Sequence, residues 1–313
     1  MTPSTLRHAL RCATVVAVAL LSACGGSSES DTPQMPVGSQ TAQSVSANTL
    51  VLGPDTVNAN AAVLRTAQAV VASASGQVTA TVACGGGGTA RFTASGGSGL
   101  SLLNGVLDAG ERYSILFDNC RASAGAESLS GLMSIDVISA SANELTLQTS
   151  TQGIVVTRPQ RTFTLNGSST ISQSTVTNGT TVTTTNRWVS PQIALTSLHN
   201  ANLSSLSFSN VDLTTTSTTV NGVLTGSTSS GALTITVAWP GNSWSATIAT
   251  QGPASYDANG VATQGSWLMT LPHDRIGLVV AAGLATVTLD NGANGSIDHT
   301  FFFGVLALMV AAA

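Results

Sequence analysis

The residues best spaced for chemistry in this chain of 313 residues are oxygen donors near its C-terminus. Asp290, Asn294 and Asp298 match positions one, five and nine of a calcium-binding loop. Gly295 falls at position six, where such a loop turns sharply. The spacing therefore makes this segment a candidate for oxygen ligation of Ca²⁺.

Two positions of the same segment depart from a calcium loop. Gly292 stands at position three instead of an oxygen ligand, and Phe301 stands at position twelve instead of the bidentate glutamate. Both changes remove ligands and negative charge. We favour an Asn/Gly-rich hairpin between strands at 285–289 and 296–303, and we keep a weak calcium site as the alternative and expect no other cofactor.

Histidine and serine are the next candidates for catalysis. Beyond the first 23 residues the histidines are His199, His273 and His299. His273 and His299 each adjoin an aspartate, but neighbours on a strand point to opposite faces of the sheet. The chain contains neither a Gly-x-Ser-x-Gly elbow nor an HExxH zinc motif. These residues indicate a protein that is not an enzyme.

Aromatic side chains offer a possible sugar-stacking platform. The candidates are Trp188, Trp239, Trp244, Trp267 and Tyr256. Trp239 and Trp267 alternate in phase with apolar neighbours, so we expect core packing rather than a platform. Trp244 follows a Pro-Gly-Asn turn and is the one that we expect to be exposed.

Charge excludes a nucleic-acid partner. The ten basic residues of the chain are all arginine, and they are scattered. Without Arg7 and Arg11, eight arginines face 14 acidic residues, a net charge of 8 − 14 = −6. Phosphate binding requires a positive surface, which this sequence lacks.

The first 23 residues have the three parts of a secretory signal. Arg7, His8 and Arg11 form a positive start, and residues 12–23 form a short apolar stretch. The stretch is too short to span a bilayer as a helix, which takes about 20 residues. It ends at Leu21-Ser22-Ala23-Cys24.

This tetrapeptide resembles the bacterial lipobox, in which leucine and two small residues precede a cysteine. The resemblance implies cleavage before Cys24, a diacylglyceryl thioether on its sulfur and a lipid anchor in a membrane. Gly25 follows instead of aspartate, which favours the outer membrane. Composition further resembles that of uncharacterised β-rich envelope lipoproteins of Gram-negative bacteria, and this likeness implies no activity.

Residues 24–47 are rich in Gly, Ser and Pro, and we expect them to form a flexible tether. The remaining segment, 48–313, is expected to be one β-rich exported domain. Its two cysteines, Cys84 and Cys120, are an even pair in an exported chain and predict a disulfide.

One helix is expected directly after the tether. Apolar residues recur every three or four positions in 48–75, with Asp55 or Thr56 as the cap and Gly76 as the stop. The apolar positions are Val57, Ala61, Leu64, Ala67 and Val71.

Beyond Gly76 the apolar period changes to two, which predicts strands with one dry and one wet face. The alternating runs are 113–117, 133–137, 233–239 and 267–271. Asn-Gly pairs favour tight hairpins between such runs. They lie at 104–105, 166–167, 178–179, 221–222, 259–260 and 291–292.

The fold class that follows is mainly β, with a large, mostly antiparallel sheet and one N-terminal helix. Residues 162–230 are rich in Ser and Thr, which suits a curved sheet, a sandwich or a solenoid, although no fixed repeat supports a solenoid. For the apolar run 301–313 we expect a buried final strand, with membrane or partner contact as alternatives.

Two functions remain open. The first is a non-catalytic envelope module that binds a protein or glycan partner, or has a structural role, through its Ser/Thr face or an open sheet edge. The second is a carrier that holds a lipid or lipoprotein in a cavity between the curved sheet and the helix. A closed core favours the first function and an open apolar cavity favours the second.

Overall fold

The computed structural model of the chain describes residues 38–97, 104–157, 161–199, 202–239 and 242–310. Within these residues the elements are, in chain order, α1 (Ser39–Ser73), β1 (Thr79–Ala83), β2 (Thr89–Gly96), β3 (Glu111–Cys120), β4 (Ser128–Ala140), β5 (Glu144–Thr157), β6 (Arg161–Asn178), β7 (Thr181–His199), β8 (Asn202–Val220), β9 (Val223–Trp239), β10 (Asn242–Thr250), β11 (Ala254–Tyr256), β12 (Ala262–Thr270), β13 (Asp274–Ala281), β14 (Leu284–Asn291), β15 (His299–Gly304) and α2 (Val305–Val310).

All fifteen described strands belong to one antiparallel sheet. The strands follow each other in chain order from β1 to β10 and from β12 to β15, and β10 pairs with β12. The short β11 pairs with both β9 and β12, so β10 and β11 lie in succession along β9. The prediction of a mainly β, antiparallel fold is confirmed, and a single sheet replaces the sandwich alternative.

Helix α1 lies inside the curved sheet. Residues 45–50 of the helix are all buried, in every direction around its axis. An amphipathic surface helix would bury one stripe only, so burial on all sides means that the helix is surrounded by other elements. The buried face of the sheet and the helix form one continuous hydrophobic core.

The helix begins at Ser39, within the segment 24–47 that the composition predicts to be a tether. Ala42 and Val45 are fully buried. These small side chains pack in the interior, and this packing stabilises a helix. The local composition alone would favour a flexible chain. The N-terminal cap predicted at Asp55 or Thr56 is wrong, because the helix runs through both positions. The C-terminal end of the helix, just before Gly76, agrees with the prediction.

The predicted helix face and strand alternation are largely confirmed. Leu64, Ala67 and Val71 are buried, while the side chains of Val57 and Ala61 lie outside the described part. The inward residues of the four alternating runs are buried too, apart from Trp239, whose side chain is not described.

Four of the six Asn-Gly pairs lie at turns between antiparallel strands, at 178–179, 221–222, 259–260 and 291–292. At 221–222 both residues have positive φ, 51° and 78°, which is the geometry of a two-residue hairpin. The pair at 104–105 lies in the connection between β2 and β3.

The hairpin predicted at 166–167 is wrong, because both residues lie within β6. Gly167 marks a register shift between β6 and β7. Its φ is 150°, and a Cβ there would lie 2.9 Å from Ile193 Cα. The glycine therefore permits a β-bulge rather than a turn.

The C-terminal run is only partly buried. Strand β15 forms an edge of the described sheet, and Phe302 is 66% exposed on its outer face. After Gly304 the chain forms α2, whose Val305 and Leu308 are buried. The prediction of a buried final strand is therefore wrong. The apolar run forms an edge strand and then a short helix, and its side chains are partly exposed and partly buried.

Candidate binding site

The strands β6 to β9 extend beyond the apolar core at one end of the sheet. We call this the upper end and define it by the turns at 141–143, 179–180 and 221–222. The last apolar row of the inner face consists of Ile171, Trp188 and Leu213, which face each other on neighbouring strands. Above this row the inner face becomes polar.

Eight uncharged polar residues form this inner surface, which we call the polar shelf. The register aligns them in two rows, because alternate residues of a strand share a face. The first row is Gln173, Asn186, Thr215 and Ser229, and the second row is Thr175, Thr184, Ser217 and Ser227. All eight residues are half-buried, so their side chains combine contact with solvent and with the protein.

Hydrogen bonds order part of the shelf. Gln173 Nε2 donates to Asn186 Oδ1 at 3.0 Å, and Ser217 Oγ donates to Thr184 O at 3.5 Å. The bond between the two amides fixes their relative orientation, and each amide keeps further donor or acceptor capacity. The shelf is therefore a preformed surface of amides and hydroxyls.

A cavity of about 370 Å³ adjoins the shelf. It lies between the C-terminal part of α1 and the upper ends of β4, β5 and β6, and Gln173 and Thr175 belong to both cavity and shelf. Its wall is apolar at Val71, Leu107 and Leu145. The polar lining residues include Gln68, Ser141, Asn143 and Glu144.

A second, smaller cavity of about 30 Å³ lies deeper, between α1 and β8 to β12. Asn48 and Tyr256 line it, together with core residues such as Leu233 and Trp267. Asn48 is fully buried, and its Oδ1 has no hydrogen-bond partner among the described residues. This volume would accommodate one or two water molecules, and burial raises the pKa of Tyr256 above its usual value.

The predicted disulfide is confirmed. Cys84 and Cys120 are bonded, with their Cα atoms 5.4 Å apart. The bond joins the ends of β1 and β3 across β2. The predicted lipidation site, Cys24, lies outside the described residues.

The structure brings the three calcium candidates together in one turn, where they bind backbone amides. Asp290 accepts hydrogen bonds from the N–H groups of Asn294 and Gly295, both at 2.9 Å. Asp298 accepts from Asn291 N at 2.7 Å, and Asn294 Oδ1 accepts from Ser296 N at 2.8 Å. This arrangement supports the hairpin, since the oxygens already stabilise the turn between β14 and β15.

The described ranges contain no group of three His, Cys, Asp or Glu residues arranged to hold a metal ion. His299 stacks on Phe301 at 6.0 Å between ring centroids. The side chain of His199 lies outside the described part.

The aromatic platform is not formed at the described positions. Trp188, Trp267 and Tyr256 are buried in the core, as the alternation predicts. Trp244 is 8% exposed, so the expectation of an exposed Trp244 is wrong. Its pairing with Val237 of β9 aligns it with the apolar inner face, which a turn upstream could not reveal.

Sequence reasoning missed Glu111, which is fully buried. Its Oε2 accepts from Tyr113 Oη and from Asp108 N, while Oε1 has no partner among the described residues. The sequence does contain a pattern that predicts this burial. Glu111 lies two residues before Tyr113, so the alternation of the strand places both side chains on the inner face.

Comparison with known proteins yields no relative. The chain matches no protein-family model, no curated protein and no solved structure. Its function must therefore be argued from its own residues. Over the part that the structure describes, no helix combines the length and apolar character needed to cross a membrane.

Proposed function

We propose that this protein is a lipid-anchored module of the bacterial cell envelope that binds a partner without catalysis. The anchor is Cys24, in the outer membrane, and the binding surface lies at the upper end of the β-rich domain. The proposal combines the lipobox with the distribution of polar and apolar surface in the sheet.

The observation that carries the binding role is the filled interior. Helix α1 occupies the space that the curved sheet encloses, and the core around it is continuous. The deep cavity of about 30 Å³ is far too small for an acyl chain. A carrier of apolar ligands needs an open apolar cavity, so the filled core favours the binding module over the carrier.

The hydrogen bonds that three aspartates accept from turns favour a non-catalytic role. Asp257, Asp290 and Asp298 all accept hydrogen bonds from backbone N–H groups of turns. Such bonds lock the carboxylates in place as structural acceptors. A catalytic carboxylate needs to face a reacting atom instead.

The anchor accounts for the N-terminal segment. Residues 24–38, which are 38 − 24 + 1 = 15 residues, precede the helix. An acyl anchor on Cys24 would therefore hold the module near the membrane.

The test is the mass of the mature protein extracted from its own membrane in mild detergent. We expect the denatured protein to lack residues 1–23, to carry acyl chains and to lack two hydrogens for the disulfide. The Cys24→Ser variant should be recovered in the soluble fraction. An unmodified Cys24 in the membrane-extracted protein would contradict the anchor.

The native mass of the same sample tests the binding role against the carrier. We expect no noncovalent lipid adduct, because the core around the helix is filled and the cavity of about 370 Å³ at the upper end has polar lining residues such as Gln68, Glu144 and Gln173. A discrete adduct of lipid mass that survives detergent exchange would favour the carrier.

A further inference from the structure

We propose that the polar shelf and the adjoining cavity at the upper end bind a neutral linear oligosaccharide. The inference rests on the proposed binding function and names its ligand class. It is carried by the juxtaposition of eight half-buried amides and hydroxyls with a cavity that both apolar and polar side chains line.

The chemistry of the shelf selects hydroxyl groups. Amide and hydroxyl side chains both donate and accept hydrogen bonds, which matches the dual character of a sugar hydroxyl. The eight shelf residues include no charged side chain, and among the described residues the only ionisable one that lines the cavity is Glu144. Phosphate and other anions are bound most strongly by cationic side chains and would be repelled by this carboxylate.

The cavity suits a sugar ring. A pyranose has hydroxyl groups around its rim and C–H groups on its faces, so it benefits from a wall with both characters. Val71, Leu107 and Leu145 supply the apolar wall, and Gln68 and Gln173 supply amides. The volume of about 370 Å³ lies in the range of small-molecule sites.

The shelf extends the site beyond one ring. It crosses four adjacent strands, β6 to β9, and three strand spacings cover ~14 Å. A chain of sugar units that enters the cavity beside Gln173 can therefore continue along the row to Asn186 and Thr215, whereas Ser229 at the end of the row also lines the small cavity beside α1. This geometry favours a linear oligosaccharide over a single sugar.

A protein ligand fits the shelf less well. Protein interfaces draw most of their binding energy from buried aromatic and arginine anchors. The shelf contains none: Trp188 is buried in the apolar row below the shelf, and Tyr256, which pairs with Ser227 at the end of the second row, is buried as well. Directional hydrogen bonds to hydroxyl groups are the main interaction that this surface offers.

The test is titration of the full mature lipoprotein with uncharged tetrasaccharides. The probes are maltotetraose, cellotetraose and chitotetraose, with an anionic hyaluronan tetrasaccharide for comparison. The detergent must not be a glycoside, since a sugar headgroup would compete. We expect at least one neutral tetrasaccharide to bind, with the anionic one at least tenfold weaker.

Matched variants locate the site. Ala72 and Ala69 are both exposed on α1, but only Ala72 lines the cavity. Ala72→Trp should fill the cavity and weaken binding at least tenfold, whereas Ala69→Trp should leave it within twofold. The double variant Gln173→Ala and Asn186→Ala should also lose at least tenfold, and Gln148→Ala on the outer face should not.

Several outcomes would overturn the proposal. Absence of binding by every neutral tetrasaccharide is one, and equal loss in Ala72→Trp and Ala69→Trp is another. A stoichiometric protein partner that is lost in Ala72→Trp while no sugar binds would assign the surface to a protein instead.

Failure of the proposed function would look different. Sugar binding by a chain without acyl groups at Cys24 would reject the anchor and keep the site. Cleavage of the bound tetrasaccharide, detected by product analysis, would reject the non-catalytic role and keep the ligand class.

Discussion

Thr49 on the buried helix lies with its hydroxyl oxygen 3.0 Å from the sulfur of Met269 on β12. The same hydroxyl donates to Val45 O at 2.8 Å within the helix. The contact joins residues 220 positions apart in the chain. It shows how segments far apart in the chain meet in the core between the helix and the sheet.

Truncation of a buried side chain on α1 should destabilise the whole domain. Leu50 is fully buried between α1 and the strands, so Leu50→Ala should lower the free energy of unfolding by about 2–5 kcal/mol. Arg65→Ala, on an exposed position of the same helix, is the control and should change it by less than about 0.5 kcal/mol. Urea unfolding followed by tryptophan fluorescence measures both, and similar values for the two variants would contradict burial of the helix.

The disulfide should contribute substantially to stability. Cys84 and Cys120 are 36 positions apart, and a loop of this size corresponds to about 4 kcal/mol in the chain-entropy model. The double variant Cys84→Ser and Cys120→Ser should lose this amount in urea unfolding. Reductant should destabilise the wild type and leave the variant unchanged; a reductant effect of equal size on both would point to another cause.

Stability should fall at alkaline pH because of Tyr113. Burial and the hydrogen bond to Glu111 raise the pKa of Tyr113 above its usual value. The unfolded tyrosine ionises near pH 10, so its contribution to stability is present below about pH 10 and is lost as the pH rises further. Tyr113→Phe should make the fall of unfolding free energy above pH 10 less steep.

A spectrophotometric titration provides the check on Tyr113. The folded protein should show no tyrosinate from Tyr113 near pH 10, and Glu111→Gln should lower the pKa because it removes the negative charge. Ionisation of Tyr113 near pH 10 in the folded wild type would contradict this description of the site. Tyr256→Phe removes the only other tyrosine and isolates the signal.

The 290–298 turn should depend on its carboxylate and not on calcium. Asp290→Ala leaves the N–H groups of Asn294 and Gly295 without their acceptor and should cost about 1–3 kcal/mol. Asp118→Ala at an exposed position is the control. Millimolar calcium should leave the melting temperature of the wild type unchanged; a calcium-dependent rise that Asp290→Ala abolishes would restore the metal site.

The ion pair on the outer face should shift one acidic pKa with little effect on stability. Arg187 Nε and Nη2 bond Asp212 Oδ1 and Oδ2 at 2.9 and 2.7 Å. The hydrogen bonds from Arg187 lower the pKa of Asp212. Stability from this pair is present above the unfolded pKa near 4 and is lost as the pH falls through the lowered value.

Arg187→Gln tests this pair. The carboxyl carbon signal of Asp212 in NMR should titrate at higher pH in the variant than in the wild type. Because both side chains are solvent-exposed, the loss of stability at pH 7 should be small. An unchanged midpoint would contradict the bond in solution.

The amino-acid sequence alone was enough to predict the class of the fold and several local features. Period-two alternation in runs such as 113–117 correctly predicted which residues lie on the inner and outer faces, because successive side chains of a strand point to opposite faces of the sheet. The Asn-Gly pair at 221–222 specified its own turn because both residues tolerate positive φ. Cys84 and Cys120 are the two cysteines of the segment 48–313, which was enough to predict their disulfide.

Only the tertiary structure decided where the helix begins, what the Asn-Gly pair at 166–167 does and where Trp244 lies. Each depends on partners distant in the chain: the enclosing sheet for Ser39, the facing strand for Gly167 and the register with Val237 for Trp244. The proposed binding site at the upper end arises in the same way. Its eight shelf residues are an ordinary Ser/Thr-rich pattern until strand register aligns them beside a cavity, because long-range pairing is not encoded in local preference.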